Sequence, residues 1–210
     1  MNSPVLHWSN ADVEVHKIVV GPFENNVFVV RCKSTGDAVL IDAANEHEQL
    51  LQMCRELGVR RVLETHGHWD HWQALTAVLE ATGASSIAHV ADVPMIDATV
   101  DSTVDDGSSI TIGAVSLRAI HLVGHTPGSI ALVYDDPDGP PHLWTGDCLF
   151  PGGVGNTEKD PARFASLYNG VVSRLFDQLP DETWVYPGHG RDTTLGAERP
   201  HLQEWRDRGW

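Results

Sequence analysis

The first forty residues carry short apolar or β-branched runs, Val13–Val15, Ile18–Val20, Val27–Val30 and Ala38–Ile41. Gly21-Pro22 and Ser34-Thr35-Gly36-Asp37 separate them with turn chemistry, so this stretch predicts strands. The period then changes. Leu50, Leu51, Cys54 and Leu57 recur at helical spacing, with Asn45 expected to cap, Glu48 to reach back, and Gly58 to supply a left-handed stop. A strand over Arg61–Glu64 is followed by a second amphipathic helix through Ala74, Leu75, Val78 and Leu79, closed by Gly83. Ile87–His89 reads as a brief strand and Asp92–Asp106 as polar and irregular. The second half repeats this grammar. Ile110–Ile112, Val115–Ile120, Ile130–Tyr134 and His142–Trp144 predict strands, with a Pro/Asp/Gly turn over Asp135–Pro141. Phe150–Asp160 is Gly-rich and is expected to be a mobile loop. Asp160-Pro161 then caps a long helix with Phe164, Leu167, Val171, Val172 and Leu175 as its core stripe, ending near Pro180, and Trp184–Tyr186 is the last strand. Strand-rich halves with single helices between them predict an α+β fold, two sheets face to face with helices outside. No low-complexity linker divides the chain, so residues 1–210 are read as one domain.

Composition narrows the partners more than the fold. The chain is 41% apolar and 20% charged, an ordinary globular balance. A formal net charge of −15, with only 14 Lys and Arg, argues against nucleic acid and against an anionic membrane surface. Met1–Asn10 has no basic or apolar leader pattern and no apolar run approaches bilayer length, which gives a cytoplasmic expectation. Cys32, Cys54 and Cys148 form no CxxC pair, so neither a disulfide framework nor a thiolate zinc knuckle is indicated.

The candidate chemistry is concentrated in one octapeptide, Thr65-His66-Gly67-His68-Trp69-Asp70-His71-Trp72. Burying four such side chains without partners would be costly, and a metal supplies the partner. Three further positions share the same setting, a metal-capable side chain where a strand gives way to a glycine turn. They are His125 in Gly124-His125-Thr126-Pro127-Gly128, Asp147 in Gly146-Asp147-Cys148, and His189 in Gly188-His189-Gly190. Five histidines and two aspartates are too many for one tetrahedral ion and enough for two if one carboxylate is shared.

His66-x-His68-x-Asp70-His71, followed by Gly-His125-Thr-x-Gly, Gly-Asp147 and Gly-His189-Gly, resembles the metallo-β-lactamase superfamily, most closely its glyoxalase II-like branch. The resemblance runs from Asn26-Val27-Phe28-Val29-Val30 and Leu40-Ile41-Asp42 to Leu195-Gly196-Ala197-Glu198. It implies a four-layer αββα sandwich with two divalent ions at the edge between the sheets, zinc first, with iron or manganese as alternatives. It also implies that His66, His68 and His125 hold one metal, that Asp70, His71 and His189 hold the other, and that Asp147 bridges. Cys148 takes the place beside the bridge, and adjacent extended residues alternate faces, so it is expected to point away from the metals and an antibiotic-degrading role is not expected.

Two dications, two carboxylates and a bridging hydroxide leave a net charge of about +1, and metals lower the pKa of bound water to roughly 7. The implied activity is therefore a dinuclear hydrolase in which the bridging hydroxide attacks a thioester, or a related ester, of a low-molecular-weight thiol. Asp70 and Asp147 are its catalytic carboxylates, with Asp70 also a candidate proton shuttle. The alternatives are a mononuclear iron persulfide dioxygenase using His66, His125 and Asp147, a lactonase, and a metal-stabilised binding protein without catalysis. The partner expected is a small-molecule substrate. Only 21 residues follow His189 and lysine is scarce, which weighs against glutathione recognition. Asn156 stands where relatives commonly carry Arg, and Arg191 is the best-placed remaining cation for a substrate carboxylate. Trp69 is read as a pocket wall, Trp72 as a core residue, and Asp42 as an acceptor for the far nitrogen of a ligand histidine. Trp205 and Trp210 are read as packing or homodimer contacts.

Overall fold

A computed structural model describes residues 5–209. The chain enters as an antiparallel run, β1 (Val5–Ser9), β2 (Val13–Val20), β3 (Asn25–Cys32) and β4 (Ala38–Ile41). Helix α1 (His47–Leu57) crosses to a parallel strand, β5 (Val59–Leu63). A helical turn, α2 (Trp69–Trp72), and helix α3 (Leu75–Thr82) lead to β6 (Ser85–His89) and β7 (Ser102–Val104), both parallel additions that complete a seven-stranded sheet.

The second half gives β8 (Ser109–Ile112), β9 (Val115–His121), β10 (Ile130–Tyr134) and β11 (His142–Gly146). A small hairpin, β12 (Leu149–Phe150) with β13 (Gly153–Val154), precedes α4 (Pro161–Val171). Strand β14 (Trp184–Pro187) lies parallel to β11, and β15 (Thr193–Thr194) closes a six-stranded sheet in the order β15-β14-β11-β10-β9-β8. Helices α5 (Leu195–Glu198) and α6 (Leu202–Arg208) end the described chain.

Side-chain alternation sorts these elements into four layers. Along β3, Phe28, Val30 and Cys32 join the core between the sheets, while Val27 and Val29 face the outer core. Ile130, Leu132 and Tyr134 of β10 face the same central core from the other sheet, and Ala131 and Val133 face outward. One outer core is covered by Leu50, Met53, Cys54 and Leu57 of α1 with Leu75 and Val78 of α3. The other is covered by Phe164, Leu167 and Val171 of α4, the turn after it, and Trp205 of α6. The αββα sandwich expected from the sequence is the observed fold.

Local departures have identifiable causes. Asn45 does not cap α1: its side chain accepts from Glu46 N and donates to Gln73, and Glu46 takes the cap position in a left-handed conformation with no side-chain cap. Asp160 does cap α4, accepting from Ala162 N and Arg163 N. The Gly-rich stretch holds the β12–β13 hairpin, and Asp92–Asp106 contains β7. Trp205 is buried against Phe176 in an edge-to-face contact, so it is a packing residue rather than a dimer contact. Trp210 lies outside the described residues. Among the described residues, no helix is long and apolar enough to cross a membrane.

Candidate metal centre

Every residue of the candidate site sits where a strand ends at one edge of the sandwich, the usual position for function in such sheets. Asp42 follows β4 and the octapeptide follows β5. His125 lies between β9 and β10, Asp147 follows β11, and His189 follows β14. Loops from both sheets therefore converge, and side chains up to 164 positions apart in sequence come within hydrogen-bonding range.

Three overlapping groups result: His66, His68 and His125; Asp70, His71 and His189; and His66, His71 and Asp147. Within each group the ligand atoms lie within 4.8 Å of one another. Asp147 sits between the first two groups. Its Oδ1 is 3.5 Å from His71 Nε2, and its Oδ2 is 3.6 Å from both His125 Nε2 and His189 Nε2.

The hydrogen bonds on the outer side fix which nitrogen faces inward. His71 Nδ1 donates to Asp42 Oδ2 at 2.8 Å, His125 Nδ1 to the Asn156 carbonyl at 2.8 Å, and His189 Nδ1 to the Phe23 carbonyl at 2.8 Å. Thr65 Oγ1 donates to Asp42 Oδ2 and so is left to accept from His66 Nδ1 at 3.1 Å. With the proton on Nδ1 in these four rings, each Nε2 carries a lone pair aimed at the centre. His66 Nε2 and His125 Nε2 are 3.2 Å apart, as are His71 Nε2 and His189 Nε2. Two lone pairs at that separation repel, and a cation between them turns the repulsion into two bonds. Asp147 Oδ1 is buried without a hydrogen-bond partner, and a cation held there would satisfy it. The donor set, imidazole and carboxylate in overlapping groups of three, fits divalent transition ions.

The lowered His66, His68 and His125 suit neutral imidazole ligands, whereas nearby carboxylates favour protonated His71 and His189, whose Nε2 protons a cation would displace. Burial pushes His66 well below the usual imidazole range, helped by the neighbouring rings, and pushes His125 down to about 4. His68 is lowered by burial, partly opposed by Asp147 and Asp70. Burial would lower His71, but the Asp147 and Asp42 carboxylates beside it outweigh this and raise it. Burial would raise Asp70, yet His189, His71 and Asn25 hold it far below the ordinary carboxylate range. Asp147 is likewise held down by His71, His125 and His189 against its own burial.

The remaining sequence candidates divide. Asp42 accepts from His71, from Thr65 N at 2.7 Å and from Thr65 Oγ1, and adopts φ 62° at the strand end to do so. Trp72 is partly buried, its indole N–H donating to the Gly67 carbonyl, whereas Trp69 is 55% exposed and packs edge-to-face on Phe23. Asn156 acts through its backbone carbonyl on His125, while its side chain accepts from Glu158 N within its own loop. Arg191 is exposed beyond the last turn. Cys148 is fully buried beneath α4, with its thiol raised by burial, and belongs to none of the three groups.

Three contributors were not visible in the sequence. Asp92 is fully buried, accepting from Gly67 N at 2.8 Å and Thr126 Oγ1 at 2.5 Å on Oδ2, and from Gly128 N at 2.6 Å on Oδ1. It ties the octapeptide to the His125 loop. Asn25 donates to Asp70 Oδ2 at 3.0 Å. Glu64, buried under Asp42, accepts from Ala43 N, and burial together with the Asp42 charge raises its carboxyl well above the usual range. The one available signal for Asp92 was its place just after a predicted strand, the same setting as Asp42.

The family model of the metallo-beta-lactamase superfamily matches residues 20–189. The hydroxyacylglutathione hydrolase of Polaromonas sp. is 38% identical over 170 residues, covering 80% of this chain and 62% of that protein, so the chain spans about three-fifths of that relative. The hydroxyacylglutathione hydrolase GloC of Haemophilus influenzae is 28% identical over 207 residues, covering 89% of this chain and 95% of that one. The crystal structure of ETHE1 from Myxococcus xanthus superposes with a TM-score of 0.78 at 28% identity, over 92% of this chain and 84% of that one.

Proposed function

The chain belongs to the metallo-beta-lactamase superfamily and is a metal-dependent hydrolase, and we propose that it cleaves thioesters, S-acyl derivatives of a low-molecular-weight thiol, at a two-metal centre. The observation that carries this reading is the pair of facing imidazole sets with Asp147 between them. His66, His68 and His125 would hold one cation, Asp70, His71 and His189 the other, and Asp147 would be shared. The imidazole-rich set favours zinc, and the same ligands accept iron or manganese. Divalent cations in these positions supply an activated water and a Lewis acid for the scissile carbonyl.

The chain's own residues set the rest. Asp42 and the Asn156 and Phe23 carbonyls hold the imidazole rings so that each Nε2 points inward. Asn25 fixes Asp70 by donating to Oδ2, the oxygen that also faces His71 Nε2 and His189 Nε2. Asp70 and Asp147 are both held in the ionised form, so neither carries a proton for a leaving group near neutral pH. A thiolate, whose parent thiol has a pKa of about 8.5, departs without protonation, whereas an amine or alkoxide does not. That difference supports a thioester over an amide. The relatives named hydroxyacylglutathione hydrolases support the same substrate class.

A panel of thioesters, lactones and persulfides, run on protein of measured metal content, tests the proposal. Thiol release from thioesters at roughly 1–1000 per second is expected. One iron per chain with oxygen uptake on persulfide would replace this reading with the dioxygenase, and lactone opening without thioester cleavage would replace it with the lactonase.

A further inference from the structure

Beside the first imidazole set lies an open cavity of about 450 Å³. Met95, Val123 and Pro127 wall it, His68 and His125 form its inner end, and Glu158 stands at its rim. Met95 is 38% exposed and Val123 43% exposed, and across the centre Phe23 and Trp69 are exposed as well. Exposed large apolar side chains gathered around a polar centre mark a binding surface.

The charge around the cavity is as specific as its walls. The one cation in the lining is Arg163, and its guanidinium is committed. Nε donates to the Gly124 carbonyl at 2.9 Å, Nη2 to the His125 carbonyl at 2.5 Å, and Nη1 pairs with Glu158 at 2.7 Å. Arg163 thus shapes the His125 loop and leaves no free positive charge for an anionic substrate group. Glu158, the carboxylate at the opening, is itself the partner of that guanidinium, so the lining presents a neutral pair and no net positive charge to hold a substrate carboxylate.

We propose that this cavity receives the acyl portion of the substrate and selects an uncharged, apolar chain, such as a medium-length alkanoyl group, over a carboxylate-bearing one. The inference rests on the thioesterase reading and names its substrate class. An acyl carbon chain extending from a carbonyl at the centre past His68 and His125 enters between Met95 and Val123, where each methylene leaves water for an apolar wall.

The test uses metal-loaded full-length protein and acetyl-to-octanoyl thioesters of N-acetylcysteamine, with the succinyl thioester as the charged member. kcat/KM rises by about fourfold per methylene until the cavity is filled, as expected for burial of CH₂ groups. The succinyl thioester is at least tenfold poorer than the butanoyl. Val123→Glu, at an exposed position that tolerates a polar side chain, collapses the octanoyl-to-acetyl ratio toward one. The matching ketones, with a methylene in place of the thioester sulfur, are not cleaved, and their affinities measured by calorimetry read the cavity independently of turnover. Ketone binding that tightens with chain length while no thioester is cleaved upholds the cavity and removes the thioesterase reading. Cleavage that ignores chain length, or that favours the succinyl thioester, overturns the cavity and leaves the thioesterase standing. Neither cleavage nor length-dependent binding overturns both.

Discussion

Asp92 shows how far a single residue's role can lie from its sequence signal. The candidate ligands are legible in the sequence because the octapeptide packs four of them into six positions and each of the others follows a strand into a glycine turn. Asp92 belongs to no such motif, and its partners at Gly67, Thr126 and Gly128 are 25 to 36 residues away, so only the tertiary fold reveals it. Its carboxylate satisfies two buried backbone N–H groups and a hydroxyl. Asp92→Ala is expected to cost about 3 kcal/mol in urea unfolding, because these donors are left buried and unpaired. Asp92→Asn should recover only part of that, since its amide presents a donor to donors. His142 makes a second residue-scale prediction. Burial holds its pKa down to about 4, against about 6.5 in an unfolded chain, and its Nδ1 pairs with the Tyr186 hydroxyl at 2.7 Å. Below pH 6.5 the unfolded chain takes a proton that the folded chain refuses, so stability is full above 6.5 and is lost as pH falls toward 4. Replacing His142 with Gln should flatten the stability–pH curve over that window relative to the parent protein, as read by denaturant midpoints.

At the scale of elements, apolar periodicity located the main helices and nearly every long strand, but cap chemistry was less reliable. The same signal, a short polar residue before an apolar stripe, succeeded at α4 and failed at α1. Asp160 has a free turn in which to fold its carboxylate onto Ala162 N and Arg163 N. Asn45 is drawn away by Gln73 at the end of the α2 turn, a tertiary contact that overrides the local one. Removing the Asp160 cap by Asp160→Ala should cost about 1 kcal/mol, detected as a lower thermal midpoint. The short strands were harder to read. β7, β12, β13 and β15 have two or three residues each, too few for a period to register.

For the whole molecule, the repeated strand-and-helix grammar of the two halves was enough to anticipate the sandwich, because each half needs the other to cover its inner face. Phe28, Ile41 and Leu63 from one sheet meet Leu132, Trp144 and Tyr186 from the other in a single central core. The candidate metal centre lies on that junction, with Asp70 and His71 supplied by one sheet and Asp147 and His189 by the other. Cations bound there would link the two sheets, and their removal by chelation would weaken the fold as well as the activity. The central claim is that both imidazole sets work together through Asp147. It is tested most directly by titrating metal-free protein with zinc while measuring thiol release from a thioester. A rate that climbs to its plateau only at two zinc ions per chain is the expected result, and a plateau at one ion, or no thiol release at any loading, would contradict it.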